Sequence, residues 1–381
     1  MTVSIRKRIL QLHRWVGLTV GLLIVLVAVT GAANLYRPQL DPIVNHRLLR
    51  ANVCATLLPV DTLVASARTA NPNSGALKVI QLDNEPGSSI HIRFSDENWV
   101  YVDPCTATVL GQEHRYGGVF GTIDALHRFK FVQNSSVMSG TLATITALIL
   151  VLGGLIVWWP ASIRSFKHSL KLNSRLQGRA FSLNLHKTVA IYAGPILLVS
   201  ALTGIPQAFL WCQNGILALT GSPPQANPGK SFSAHNAKRL PIETYWQQAQ
   251  ALVPRPRATL LFYPKKPSDP VEFELIDRNA PHGAARTYVS LDAYSGKVLR
   301  FTPYAKASSG HRLYLWMVAL HTGLLGGAIG QFLLLLGVLS VPVLAYAGFS
   351  SYLLGLRRTR MAAPTRVSGG NRGSCNDQAV E

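Results

Sequence analysis

The chain has 381 residues, of which 48% are hydrophobic and only 14% charged, a balance too apolar for an ordinary soluble domain of this length. A formal net charge of +20 would suit a nucleic-acid partner. The basic residues, however, are gathered into short segments beside apolar runs, which excludes that class and points to a membrane.

Arg6, Lys7, Arg8 and Arg14 lead into a run without charge over 16–36, long enough to cross about 30 Å of hydrocarbon. Ala32-Ala33 loosely resembles a signal cleavage site, but the run is too long for a signal core, so an uncleaved anchor is expected. The next hundred residues carry most of the first half's acidic residues. They read as a helix over 60–71 and strands over 89–94 and 99–103. The turn Pro104-Cys105-Thr106 then leads into Val109-Leu110-Gly111. Cys54 and Cys105 lie in this segment, where an oxidising compartment would permit a disulfide; Cys212 and Cys375 lie elsewhere, and no Cys-x-x-Cys is present. An amphipathic stretch, Ile123–Phe131, carries His127 into a second apolar run over 139–159.

Arg164, Lys167, Lys171, Arg175, Arg179 and Lys187 fill the connection to a third run over 188–210, with no acidic residue among them. The second long polar segment repeats the first: a helix over 241–253, strands over 271–276 and 287–292, the turn Ala293-Tyr294-Ser295-Gly296, then Lys297-Val298-Leu299. A second amphipathic stretch, Leu313–Leu325, carries His321. The glycines from Gly323 to Gly330 follow no strand, so they read as a bend rather than a dinucleotide loop. A fourth run over 331–354 ends in Arg357, Arg358, Arg360, Arg366 and Arg372.

Short basic segments mark the cytoplasmic side of a membrane, so both termini are expected inside and both polar segments outside. The expected division is a cytoplasmic N-terminus with the first span (1–37), an outer domain with its amphipathic helix (38–138), the second span (139–160) and a basic loop (161–187). The second half then repeats this layout with a span (188–210), an outer domain (211–330), a span (331–356) and a tail (357–381). The expected fold is a membrane α-helical protein with four transmembrane helices in two parallel pseudo-symmetric repeats, each with a small α+β outer domain. Pro195 and Pro342 are expected to kink their helices.

Repetition also singles out four of the eleven histidines. Leu12-His13 is followed by Thr30-Gly31 at the same offset that separates Leu185-His186 from Thr203-Gly204, and Leu126-His127 has its counterpart in Leu320-His321. Matched halves would place His13 opposite His186 and His127 opposite His321, and two facing imidazoles can hold a low-spin haem iron. A twenty-residue helix rises about 30 Å, so the pairs cannot share one iron and two haems b are expected. Arg14 and Lys187 would face propionates of one haem and Arg128 those of the other. His311 is a second-rank ligand candidate. His46, His91, His114, His235 and His282 read as solvated, and His168 as facing lipid headgroups.

The hairpins Val-Asp-Pro-x-Thr-x-x-Val-Leu-Gly at 102–111 and Leu-Asp-x-x-Ser-Gly-Lys-Val-Leu at 291–299 are similar to PepSY domains. With Leu-His-Arg-Trp-x-Gly at 12–17, Leu-His-Arg at 126–128 and Leu-His-Thr-Gly at 320–323, the chain from about 6 to 360 resembles the PepSY-associated transmembrane family. Within it, the layout is similar to bacterial inner-membrane ferric-siderophore (ferrioxamine/ferrichrome) reductases. Ala107 stands where the hairpin pattern has glycine. The resemblance implies periplasmic outer domains, a ferric siderophore as substrate, and siderophore-uptake components of the periplasm as partners. No inner segment is large enough for NADPH or flavin, so a membrane quinol or a cytoplasmic donor would supply electrons. Two alternatives remain at this point: a non-catalytic PepSY membrane protein modulating a partner, which predicts no haem, and a metal-uptake transporter. Transport favours an acidic residue at mid-depth, and the spans carry none.

Overall fold

Runs of leucine, valine and isoleucine without charge fold into helices long and apolar enough to cross a bilayer, and the computed structural model has four among its described residues, which are 3–160, 162–224, 226–232 and 238–361. His235, Arg366, Arg372 and Cys375, and the side chains of Arg164, His168, Arg358 and Arg360, lie outside what is described. The chain is a multi-pass membrane protein.

In the first half, α1 (Val3–Leu35) is the first span, followed by the short helices α2 (Arg37–Val44) and α3 (His46–Leu49) and by α4 (Val60–Ala70). Strands β1 (Leu77–Asp83), β2 (Ile90–Phe94), β3 (Asn98–Val102) and β4 (Val109–His114) come next, then α5 (Gly118–His127). The second span is α6 (Ser135–Ile145), a π-helical stretch over Thr146–Leu152, and α7 (Gly153–Trp158). After α8 (Ile163–Ser169), α9 (Gly178–Ala208) is the third span and runs unbroken through Pro195; α10 (Leu210–Leu219) and α11 (Ile242–Leu252) follow. Strands β5 (Ala258–Phe262), β6 (Val271–Ile276), β7 (Thr287–Leu291) and β8 (Val298–Thr302) precede α12 (Ser309–His321). Gly323, Gly326 and Gly327, all at positive φ, turn the chain into α13 (Gly327–Met361), which contains Pro342.

Instead of two separate small sheets, the strands form one antiparallel eight-stranded sheet in the order β4-β3-β2-β1-β5-β6-β7-β8. The joint is β1 against β5, from Val79 opposite Phe262 to Asp83 opposite Ala258. One face is apolar: Ile80, Ile92, Phe94, Leu261, Phe273 and Leu291 pack beneath α4 and α11 with Leu63 and Tyr245. These helices cap each other. The Asp61 carboxylate accepts the amides of Ile242 and Glu243 at 3.0 and 2.8 Å, and the Glu243 carboxylate accepts that of Val60 at 2.7 Å. Each acid also meets the positive end of the partner's helix dipole. The halves are thus tied at the sheet and at the helix termini.

The two hairpins have the same geometry. The Asp103 carboxylate accepts the amides of Asn52, Cys105 and Thr106, and that of Asp292 accepts those of Phe232, Tyr294 and Ser295. Burial alone would raise both acids, but these amides outweigh it and hold both carboxyls below the usual range. Gly296 takes φ +72° and Ala107, at the matching place, takes φ +59°, so the turn survives the loss of glycine at the expense of left-handed strain. Cys54 and Cys105 form a disulfide.

Candidate functional site: two facing histidine pairs

His13 projects from α1 and His186 from α9, and their ring centres lie 6.1 Å apart with planes at 88°. His127 and His321 are the last residues of α5 and α12, and their ring centres lie 6.4 Å apart at 47°. The first pair is held between spans; the second sits where the spans meet the sheet domain.

All four imidazoles are fixed in one way. His13 Nδ1 meets the carbonyl of Ile149 at 3.3 Å, His186 Nδ1 that of Leu344 at 2.9 Å, His127 Nδ1 that of Val27 at 3.0 Å and His321 Nδ1 that of Ser200 at 2.9 Å. A carbonyl oxygen only accepts, so each Nδ1 carries the proton and donates. In the neutral ring the Nε2 lone pair is then free for a metal, the second-sphere arrangement common to metal-bound histidines. The acceptors repeat with their donors: Val27 and Ser200 are 173 residues apart, as are His13 and His186. Ile149 lies in the π-helical stretch of the second span, whose irregular winding is typical of functional positions.

Glycines make room for the rings. A Cβ on Gly31 would stand 3.0 Å from His127 Cε1, one on Gly204 2.9 Å from His321 Cε1, and one on Gly154 3.0 Å from His13 Cε1; at Gly348 the nearest His186 atoms are 3.7 Å away. Along α1, fourteen residues separate His13 from Val27, the acceptor for His127, and fourteen separate His186 from Ser200 on α9. At 1.5 Å per residue the two layers are about 21 Å apart.

The donor set can be tested against an iron porphyrin. A metal–imidazole bond is about 2.0 Å, and each nitrogen is about 1.1 Å from its ring centre, so two rings clasping one iron have centres about 6.2 Å apart. The observed 6.1 and 6.4 Å match. Among the described residues no three His, Cys, Asp or Glu gather as ligands for a bare ion. Two neutral imidazoles alone leave an iron's other positions for a planar macrocycle.

The other sequence candidates fall as follows. Arg14 lies over the Trp15 ring at 5.8 Å. Lys187 lines a small hollow with Ser169, Leu183 and Asn184. Arg128 pairs with Asp124 at 2.8 Å and is well exposed. His311 is not brought to His127: it sits ten residues before His321, about 15 Å along α12, beside the rings of Tyr288 (5.5 Å) and Tyr314 (6.4 Å). Burial, with Arg300 adding to it, holds His311 below its ordinary value. Two histidines expected in solvent are packed instead. His91 lies between Trp99 and Tyr101, and burial pushes it down to about 4; His282 packs on Trp316 and Tyr304 and is only 5% exposed. Sequence reasoning passed over the four carbonyl acceptors and Gly348, although Gly154 and Gly348 are 194 residues apart, as are His127 and His321.

The family model described as the PepSY-associated TM region matches residues 10–354. The chain belongs to that family. No curated protein matches the sequence.

Proposed function

We propose that the protein is a di-haem b reductase of a bacterial inner membrane that carries electrons across the bilayer to a ferric siderophore in the periplasm. The observation that carries this reading is the pair of facing imidazole sets at two depths, each ring locked through Nδ1 and each pair spaced for one iron. Basic inner segments favour cytoplasmic termini and a periplasmic sheet domain, and the repeated donor–acceptor spacing favours two halves related by a pseudo-twofold along the membrane normal.

In this reading His13 and His186 hold one haem and His127 and His321 the other. Bound there, the two groups would supply one-electron carriers, one in each histidine layer. The chain itself fixes the tautomer and ring orientation, and the glycine seats let the helices close on a flat group. Arg14 and Lys187, each next in sequence to a histidine of one pair, and Arg128, next to His127, would be the cations to meet propionates. Electrons come from a membrane quinol or a cytoplasmic donor. One electron converts Fe(III) to Fe(II), which hard oxygen ligands hold weakly, and the metal is released.

Protein produced with ample haem should show a Soret band, a reduced α-band of b type and two haems per chain. Ferric siderophore mixed with the reduced protein should reoxidise it. A colourless preparation, or a single haem per chain, would refute the assignment.

A further inference from the structure

The two strand sets align register for register through their matching hairpins, and one half is closed where the other is open. By hydrogen-bond register His91 and Arg93 of β2 correspond to Glu272 and Glu274 of β6, Trp99 to Tyr288, and Gly111, opposite Tyr101, to Arg300, opposite Ser290. These residues lie on the sheet face away from α4 and α11. In the first half α3 covers this face, with Leu48 so close over Gly111 that a Cβ there would strike it. In the second half α10 packs against α12, His311 of α12 meets the Tyr288 ring, and the segment 226–228 crosses the strands, where the Ala226 carbonyl accepts from Arg300 at 2.7 Å. A cavity of about 620 Å³ remains, lined among others by Asn227, Phe262, Glu272, Glu274, Tyr288 and Arg300. Its size falls within the ~300–1,000 Å³ of small-molecule sites.

The lining has a definite chemistry. Both carboxylates are paired, Glu272 with Arg300 at 3.3 Å and Glu274 with Arg286 at 3.1 Å, so the charged groups around the cavity cancel. Unspent donors face it beside the unspent acceptors of the two carboxylates. Arg300 spends one terminal N–H on Ala226 and one on Glu272, its Nε is buried without a partner among the described residues, and two terminal N–H groups remain of five. The Tyr288 hydroxyl has no partner among the described residues, and burial, followed by the nearby Glu274, pushes it up to about 12, so it keeps its proton. The Tyr288 ring lies under the guanidinium at 5.5 Å. Spare N–H and O–H donors without net charge suit an uncharged ligand rich in oxygen acceptors.

We propose that this cavity in the second half is where the oxidant docks, and that it selects an electroneutral ferric chelate with oxygen ligands over an anionic one. The inference rests on the di-haem reading for its electron source. One electron from the quinol or cytoplasmic donor reduces Fe(III) to Fe(II), no bond to the protein forms, and the loosened ligand oxygens take protons from water. The wall of the cavity connects to the ligand helix, since Tyr288 packs on His311 at 5.5 Å and the same α12 ends at His321.

The test uses tris(acetohydroxamato)gallium(III), a neutral chelate whose metal is not reduced, titrated calorimetrically into full-length protein in nanodiscs. Saturable one-site binding is expected. Tyr288→Phe, which loses one hydroxyl, should weaken it about fivefold, consistent with ~1 kcal/mol for a hydrogen bond; Arg300→Lys should weaken it about tenfold, and Trp99→Phe in the closed half should leave it unchanged. A trianionic tris-catecholate of gallium should bind more weakly than the neutral probe. Absence of binding, undiminished binding by both the Tyr288 and Arg300 variants, or tighter binding of the trianion would overturn the proposal. Because gallium takes no electron, the two readings fail separately: colourless protein that binds the probe sinks only the di-haem reading, and haem-loaded protein that ignores it sinks only this one.

Discussion

Replacing the ring-seat glycines by alanine one at a time tests whether the four histidines are held for ligation or merely packed. An added Cβ would lie 2.9 Å from His321 at Gly204 and 3.0 Å from His127 and His13 at Gly31 and Gly154. Against an ordinary contact of 3.4 Å these are 0.4–0.5 Å too close. At Gly348 the 3.7 Å gap already admits a methyl group. Each of the three tight alanines must therefore push its imidazole, stretching a carbonyl bond of 2.9–3.3 Å. Overpacking costs about 1–3 kcal/mol and a weakened hydrogen bond about 1 kcal/mol more, enough for a tenfold or greater loss of haem affinity. Alanine is otherwise the better helix former by about 0.5–1 kcal/mol, so helix propensity works against the expected loss. Haem per chain and the midpoint potential of each haem are the readouts. Gly204→Ala, Gly31→Ala and Gly154→Ala should each lose or shift one haem, whereas Gly348→Ala should resemble the parent. Equal behaviour of all four variants would show that ring position does not depend on these seats.

His13→Ala should remove one haem equivalent and leave the spectrum of the other, and His127→Ala should do the converse; variants that keep both haems would break the assignment. Ala107→Gly relieves a left-handed alanine (φ +59°) and should stabilise the sheet domain by about 1–2 kcal/mol, seen as a higher melting temperature. Asp103 and Asp292 are held below the ordinary carboxylate value of 3.8, so their contribution is full above that value and is lost as pH falls through the folded values. Asp103→Asn should cost about 1–3 kcal/mol near neutral pH and flatten the acid limb of a stability–pH curve. The Cys54–Cys105 bridge spans 51 residues, worth about 4 kcal/mol on a chain-entropy basis. Denatured protein should titrate two thiols without reductant and four with it.

The spans were legible because some twenty apolar residues in a row have one physical use, and the histidine pairs because each Leu-His recurs at a matching place in the other half. The fused sheet was not. Strands β1 and β5, which form its joint, escape the alternation test: Ala258-Thr-Leu-Leu-Phe262 is continuously apolar or small, and in β1 a register shift between Leu77 and Val79 sets Val79 and Ile80, both apolar and buried, side by side. The ring anchors were invisible for a different reason. Every residue has a carbonyl, so nothing marks Val27, Ile149, Ser200 or Leu344 as acceptors until the helices are placed. His311 is a reasonable second choice by composition, but ten residues turn a helix through nearly three turns and about 15 Å, which moves it from the layer of His127 and His321 to the rings of Tyr288 and Tyr314. His91 and His282 were misread because a polar segment says little about which of its faces is covered.

The locks also explain why a pair of halves is needed. His13 on the first span is held by Ile149 on the second, and His127, just before the second span, is held by Val27 on the first. The second half repeats this, with His186 on Leu344 and His321 on Ser200. Every lock therefore closes within one half, whereas every facing pair is made between halves. Each half can fix its own rings at both depths, yet it contributes only one imidazole to each. Sites with two facing imidazoles exist only when the halves meet, and the shared sheet and the reciprocal Asp61 and Glu243 caps join the halves outside the spans. Because the same fourteen-residue interval on α1 and α9 separates the layers in both halves, docking that aligns one pair aligns the other as well.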